Sequence, residues 1–118
     1  MAYTYRQIRV WQKAHGFALD IYKATSGFPR SELYGLTSQL RRACVSVATN
    51  IVEGYKRSTQ KDFAHFLNIA VGSLEETKYL LLLSHDLGYL ETGDHERLTG
   101  VAEDVGSMLH GFQRKLTT

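Results

Sequence analysis

Apolar residues recur every three or four positions through most of the chain, and this spacing is typical of amphipathic helices. The spacing predicts helices over about 7–27, 36–53, 59–87 and 94–116. The third segment is the most regular, with steps of four and three residues along one face of a bundle helix. These positions are Phe63, Leu67, Ala70, Leu74, Thr77, Leu81 and Ser84. No segment alternates apolar and polar residues as a strand would, so the predicted fold class is all-α.

Residues that favour helix ends separate the four segments. Gly27 stops the first helix, Gly54 is a C-terminal cap for the second, and Gly88 ends the third. Ser58 or Thr59 caps the start of the third helix. Because the connections are short, successive helices are expected to be antiparallel neighbours. Residues 1–118 are therefore predicted to form one domain, an antiparallel up-down-up-down four-helix bundle.

The composition is that of a globular protein, with 43% apolar and 22% charged residues. The one cysteine, Cys44, excludes an internal disulfide, and its place on an apolar helix face predicts a buried side chain rather than a reactive thiol. The N-terminal segment lacks the apolar core of a signal peptide. The longest apolar run, residues 79–83, is too short to span a bilayer. We expect a cytoplasmic protein without membrane contact.

Residue patterns of known catalytic and metal sites are missing from the sequence. None of the five histidines belongs to an H-E-x-x-H pair, and no glutamate has a histidine three residues later. The neighbouring carboxylates Glu75–Glu76 and Glu103–Asp104 point about 100° apart on a helix, so neither pair can share a proton. We therefore expect no enzyme activity, no metal and no cofactor.

Charge is distributed unevenly along a chain whose net charge is +2. Residues 1–61 contain ten Lys/Arg and three Asp/Glu, whereas residues 62–118 contain four and nine. Such a division fits an anionic partner, head-to-tail packing of copies, or helix faces whose charges balance in three dimensions. Basic residues interleaved with Tyr3, Tyr5 and Trp11 favour nucleic acid, since phosphates attract cations and bases stack on rings. The candidate nucleic-acid-binding residues are Arg6, Arg9, Lys13, Arg41, Lys56, Arg57 and Lys61. The alternative is that the arginines make structural ion pairs.

A second, polar face accompanies the apolar face of the helix that begins at Leu36. This polar stripe consists of Gln39, Arg42, Ser46, Asn50 and Glu53. It has two interpretations, a hydrogen-bond network between helices or subunits, or a surface for a ligand or nucleic acid. Asn50 and Glu53 carry no positive charge and lie near a helix C-terminus, which disfavours anions, so the structural interpretation is preferred for them.

Several sequence blocks occur together at a specific spacing. They include Val10-Trp11-Gln12-Lys13-Ala14, Phe28-Pro29, Gln39-Leu40-Arg41-Arg42-Ala43, Asn50-Ile51-Val52-Glu53-Gly54 and Gly72-Ser73-Leu74-Glu75-Glu76. With these blocks the chain resembles the four-helix-bundle proteins encoded in intervening sequences of bacterial 23S ribosomal RNA genes. The resemblance implies a ring-like homopentamer and kinship with the accessory variability protein of diversity-generating retroelements. That relative binds a reverse transcriptase and associates with nucleic acid, whereas the biochemical role of the family itself is poorly defined.

The leading hypothesis is a non-catalytic, oligomeric bundle that binds RNA or DNA through its basic surface. The alternative is a protein–protein interaction adaptor with no direct nucleic-acid contact. The last turns of the third helix are apolar nearly all round, which makes them the candidate subunit interface.

Overall fold

A computed structural model describes residues 4–117, with the side chain of Thr117 left out; Tyr3, one of the aromatic residues noted above, lies outside this range. Four helices make up most of the chain. They are α1 (Arg9–Thr25), α2 (Leu36–Tyr55), α3 (Gln60–Asp86) and α4 (Thr92–Thr117). Short 3₁₀ turns occupy Tyr5–Gln7 and Arg30–Glu32. Each helix begins and ends within two residues of its predicted range.

The helices form an antiparallel up-down-up-down bundle that measures 43 × 24 × 22 Å. Each helix packs against the next, and α1 also packs against α4. The α2–α3 contact is the most extensive and the α1–α4 contact the least. The described residues contain no strand. The predicted fold is confirmed, and none of the helices within residues 4–117 has the length and hydropathy needed to cross a membrane.

The start of the first helix differs from the prediction. Gln7 lies in a 3₁₀ turn, and Ile8 adopts an extended conformation with φ −76° and ψ 119°. Ile8 is only 4% exposed, so its side chain joins the core from this extended position. The helix consequently begins at Arg9, because apolar spacing alone does not distinguish a buried residue before the helix from one inside it.

The end of the second helix also differs, because Gly54 is not its cap. The helix continues to Tyr55, and Gly54 is buried within it. A Cβ atom at position 54 would lie 2.7 Å from Phe63 Cδ1 and 3.0 Å from Phe66 Cβ. Gly54 therefore allows α3 to approach α2 closely, which is a packing requirement and not a requirement of chain termination.

Both ends of α3 match the prediction. The Thr59 side chain accepts a hydrogen bond from the Asp62 amide at 3.1 Å, which caps the first turn. At the other end, Gly88 has φ +82° and its amide donates to the His85 carbonyl, while the Tyr89 amide donates to the Ser84 carbonyl, both at 2.9 Å. This pair of bonds is a Schellman motif, whose left-handed residue favours glycine.

All four helices contribute apolar side chains to the core. Its largest fully buried apolar members are Phe17, Ile21, Leu40, Ile51, Leu67, Leu74, Leu81, Leu98, Leu109, Val47 and Val105. Cys44 is 1% exposed, and burial, followed by the charge of Asp20, raises the pKa of its thiol to about 12. The prediction of a buried cysteine side chain is confirmed.

Candidate nucleic-acid interface and neighbouring surfaces

One end of the bundle collects the starts of α1 and α3 and the ends of α2 and α4. The rings of Phe63 and Phe112 lie 5.3 Å apart, which joins the start of α3 to the end of α4. Tyr5 and Val52 line the same groove, which joins the segment before α1 to the end of α2. We call this the basic end, because residues 4–13, 53–62 and 104–117 together contain eight Lys/Arg and three Asp/Glu.

The basic end includes six of the seven candidate nucleic-acid-binding residues and two further cations. The six are Arg6, Arg9, Lys13, Lys56, Arg57 and Lys61. The last turn of α4 adds Arg114 and Lys115, which the sequence interpretation missed. The antiparallel topology was the signal that could have located them, because it places the last turn of a fourth helix beside the first turn of the first.

Some cations of the basic end are paired with carboxylates and others are not. Lys13 Nζ lies 3.8 Å from Asp104 Oδ2. Arg57 pairs with Glu53 at 3.3 Å and its guanidinium lies 4.5 Å from the ring centroid of Phe66. A further set is exposed and forms no ion pair within residues 4–117. This set, the four unpaired cations, is Arg6, Arg9, Lys56 and Lys61.

The loose contact between α1 and α4 leaves two adjoining grooves that share Arg9. One has a volume of about 560 Å³ and is also lined by Gln12, Lys13, Asp104, Ser107 and Met108, so it contains one carboxylate beside its two cations. The other, of about 660 Å³, extends to Lys115 at the end of α4. Cations and hydrogen-bond donors therefore line a surface depression at the basic end.

Arg41 is not brought together with the other candidates. It lies 15 residues before Lys56 on α2, which corresponds to about 22 Å along the helix axis. Its Nε donates to Thr25 Oγ1 at 2.8 Å, and its guanidinium lies 4.5 Å from the ring centroid of Tyr22. The side chain thus belongs to the opposite end of the bundle.

The polar stripe of α2 lies along the groove between α2 and α3. Ser46 Oγ and Ser73 Oγ form a hydrogen bond of 2.8 Å that joins the two helices. Asn50 Nδ2 donates to the Ser46 carbonyl at 2.8 Å and to Ser46 Oγ at 3.0 Å. Gln39 and Arg42 line the same groove. The stripe makes hydrogen bonds within one chain, and its role between subunits stays a prediction.

Exposed apolar side chains occur at several places among residues 4–117, and two of these surfaces lie along helices. The first is a groove of about 340 Å³ between α1 and α2, where Leu19, Tyr22 and Val45 are 52%, 47% and 38% exposed. We call it the α1–α2 groove. The second is the outward side of α3, where Ile69 and Tyr79 are 40% and 60% exposed. We call it the α3 ridge.

Two of the four carboxylates singled out by sequence, those of Glu75 and Glu103, are engaged by a lysine. Lys78 Nζ lies 3.2 Å from an oxygen of Glu75 and 3.2 Å from an oxygen of Glu103. Desolvation lowers the pKa of Lys78, but the hydrogen bonds to Glu103 and Glu75 outweigh this effect and the pKa is raised. Within the described residues, no three His, Cys, Asp or Glu side chains are placed to hold a metal ion. The carboxylates therefore form a surface ion-pair network between α3 and α4.

Comparisons with known proteins agree on the fold. A family model described as 23S rRNA-intervening sequence protein matches residues 6–111. A solved structure from Bacteroides thetaiotaomicron, described as a protein with unknown function from the S23 ribosomal protein family, is similar with a TM-score of 0.79 and 25% sequence identity. That similarity covers 88% of this chain and 97% of the other. A comparison with curated proteins finds no match. Neither description states a catalytic activity.

Proposed function

The chain belongs to the family of 23S rRNA-intervening sequence proteins, and we propose that it is a non-catalytic protein that binds the backbone of RNA or DNA at its basic end in the cytoplasm. The observation that carries the proposal is the grouping of the four unpaired cations with Lys13, Arg57, Arg114 and Lys115 at one end of the bundle. The family name describes where such proteins are encoded and adds nothing about what this chain binds.

The charge arrangement favours a polyanion over a single small anion. The four unpaired cations come from the turn before α1, from α1, from the end of α2 and from the start of α3, so they are spread over one end of the molecule. Widely spaced cations suit a repeating phosphate backbone, where each contact releases a counterion. The described residues offer no helix that projects from the bundle to enter a groove. We therefore propose backbone contact without recognition of a base sequence.

The test replaces two of the four unpaired cations, Lys56→Gln and Lys61→Gln, in one double variant. If each lysine contacts one phosphate, the affinity for a single-stranded 30-nucleotide probe at 0.1 M salt should fall roughly 30-fold. The slope of log affinity against log salt concentration should decrease in magnitude by about 1.4. Fluorescence anisotropy with a labelled probe, repeated over a series of salt concentrations, measures both quantities.

The matched control is the double variant Lys23→Gln and Arg42→Gln, which removes the same charge from exposed positions outside the basic end. It should change the affinity less than threefold, the size of effect that screened distant charges produce. If the two double variants lost the same amount of affinity for the probe, net charge and not the basic end would govern binding. No binding by the unsubstituted protein at low salt would overturn the proposal and favour the adaptor alternative.

A second candidate function, self-association, is favoured by the two apolar surfaces. The α1–α2 groove is bordered by cations, since Arg6 follows Tyr5 in sequence, Arg41 stacks on Tyr22, and Lys56 lies one turn beyond Val52. The α3 ridge instead has acidic neighbours. These are Glu75, Glu76 and Asp86, all exposed. A helix ridge of one copy packed into this groove of another buries apolar surface and brings opposite charges together.

We expect the unsubstituted protein to have a mass in solution that is a multiple of the 13.4 kDa chain, with five copies as the proposed number. Leu19→Glu places a charge in the α1–α2 groove and should convert the assembly to monomers, because a desolvated carboxylate costs several kcal/mol. Multi-angle light scattering measures the mass. The control Ser107→Glu, on the exposed side of α4, should leave it unchanged. A 13.4 kDa mass for the unsubstituted protein would contradict self-association.

A further inference from the structure

A hydroxyl group in the first turn of α2 lacks a partner. Thr37 is 3% exposed, and its Oγ1 is the one buried side-chain polar atom among the described residues that makes no hydrogen bond. Buried hydroxyls are almost always hydrogen-bonded to protein or to ordered water, so one without a partner calls for an explanation. Thr37 lies in the first turn of α2, where the first backbone amides also lack partners within the helix.

A half-buried cation without a counter-ion lies nearby. Arg41 is anchored by Thr25 Oγ1 and by the Tyr22 ring, and its Nη2 is 3.4 Å from the Tyr22 carbonyl. Within residues 4–117 it forms no ion pair with a carboxylate. A guanidinium has five N–H donors, and these contacts leave some of them available. Arg41 is the one candidate nucleic-acid-binding residue that the basic end does not include.

Thr37 and Arg41 line the same cavity, which has a volume of about 250 Å³ and lies between the end of α1 and the start of α2. Arg30, which is exposed and also makes no ion pair in the described part of the chain, contributes a second cation. The remaining lining includes the apolar side chains of Phe28 and Leu33. Two arginines and the first turn of α2, which contains the unpartnered Thr37 hydroxyl, therefore border one small space.

The nearest carboxylate is held away from this cavity. Glu32 Oε1 accepts from the Leu36 amide at 3.2 Å, and Glu32 Oε2 accepts from the Tyr89 hydroxyl at 3.1 Å. Glu32 is not among the residues that line the cavity. Glu32 thus already accepts the Leu36 amide at the start of α2, and the charged side chains that line the cavity itself are those of Arg30 and Arg41.

We infer that this cavity is a binding site for a tetrahedral oxyanion of the phosphate class, held by Arg41, Arg30, the Thr37 hydroxyl and the start of α2. Arginine suits this ligand because its planar N–H groups pair with two oxygens of one phosphate. At the start of α2 the Leu36 amide is already bonded to Glu32, so the donors that remain for an anion are the Thr37 and Ser38 amides. The volume fits a phosphate group with a small substituent and excludes a folded nucleic acid. The site is separate from the basic end, and the inference does not depend on the proposed function.

The experiment titrates the full-length protein with inorganic phosphate at constant ionic strength and follows backbone amides by ¹H–¹⁵N NMR. We expect saturable shifts at Thr37, Ser38 and the neighbouring turn. Arg41→Gln should weaken phosphate binding roughly tenfold, whereas the adjacent Arg42→Gln, which lines the α2–α3 groove, should change it less than twofold. A parallel titration with ribose 5-phosphate tests whether the ligand is a phosphate ester or free phosphate. Equal affinities for the two compounds would indicate that any phosphate group is recognised. A higher affinity for inorganic phosphate would indicate the free anion.

A second variant distinguishes weaker phosphate binding from a loss of folding. Thr37→Val keeps the shape of the side chain and removes the unpartnered hydroxyl, so without phosphate it should unfold at the same or a higher temperature. It should nevertheless bind phosphate several-fold more weakly. Equal phosphate affinity in Arg41→Gln and the unsubstituted protein would overturn the inference. So would phosphate-induced shifts confined to the basic end, or none up to about 50 mM phosphate, a concentration that detects millimolar affinities.

Discussion

Phe17→Ala should lower the free energy of unfolding by about 3–5 kcal/mol. Phe17 lies in the middle of α1 and is 0% exposed. Its truncation loses the transfer free energy of the ring and leaves a cavity that the neighbouring helices can only partly close. Domains of this size are stable by about 5–15 kcal/mol, so the loss is a large fraction of the total. Urea denaturation followed by far-UV circular dichroism measures it.

The control for this prediction is Leu19→Ala, two residues away on the same helix. Leu19 is 52% exposed, so its truncation should cost less than about 1 kcal/mol. Both variants must be compared at one low protein concentration, because Leu19 lies in the proposed self-association surface and assembly adds to apparent stability. Similar losses in the two variants would mean that the side of α1 facing the core is assigned incorrectly.

The four helices could be predicted because the apolar spacing persists through their full length. The spacing of α3, for example, requires that Leu67 and Leu81 share a buried face, and both are 0% exposed. Helix ends are harder to predict, because they depend on local backbone conformation as well as on pattern. Ile8 shows this, since it is as well buried as a helical core residue while its backbone is extended.

The role of Gly54 could not be predicted for a different reason. A glycine near the end of an apolar pattern usually marks a C-terminal cap, which was the interpretation that the sequence supported. Its actual role depends on Phe63 and Phe66, which approach it from α3 after the chain has turned. Nothing in the local sequence distinguishes a terminating glycine from one that permits close packing.

The part of the candidate site that could be predicted consists of residues that are close in sequence, because these also lie close together at one end of a bundle. Lys56, Arg57 and Lys61 flank a single turn, so their proximity follows from the connection itself. Arg41 lies on the same helix but at the other end, and helix length separates it from the turn. Arg114 belongs to the basic end although more than 100 residues separate it from Arg6, and only the closed, four-helix topology brings the two to the same end.

Gly54→Ala should destabilise the protein by about 1 kcal/mol, although alanine is the better helix former. The greater helix propensity of alanine favours the variant by about 1 kcal/mol. The added Cβ, however, would lie 2.7 Å from Phe63 Cδ1 and 3.0 Å from Phe66 Cβ, and overpacking of this kind costs about 1–3 kcal/mol. Neither contact involves the far end of a flexible side chain, so α2 and α3 must move apart. Lys56 and Lys61 lie on either side of this contact, so their separation should change as well.

The matched control for this last prediction is Gly72→Ala. Gly72 is exposed within α3, and a Cβ atom there meets nothing within 4 Å. The substitution should therefore stabilise the protein by about 0.5–1 kcal/mol, the ordinary benefit of alanine in a helix. Parallel urea denaturation of the two variants should give free energies of unfolding that differ by about 1.5–2 kcal/mol, the sum of the opposite effects. If both substitutions stabilised the protein equally, the close approach of α2 and α3 at Gly54 would be contradicted, and with it the arrangement of the turn that presents Lys56 and Lys61.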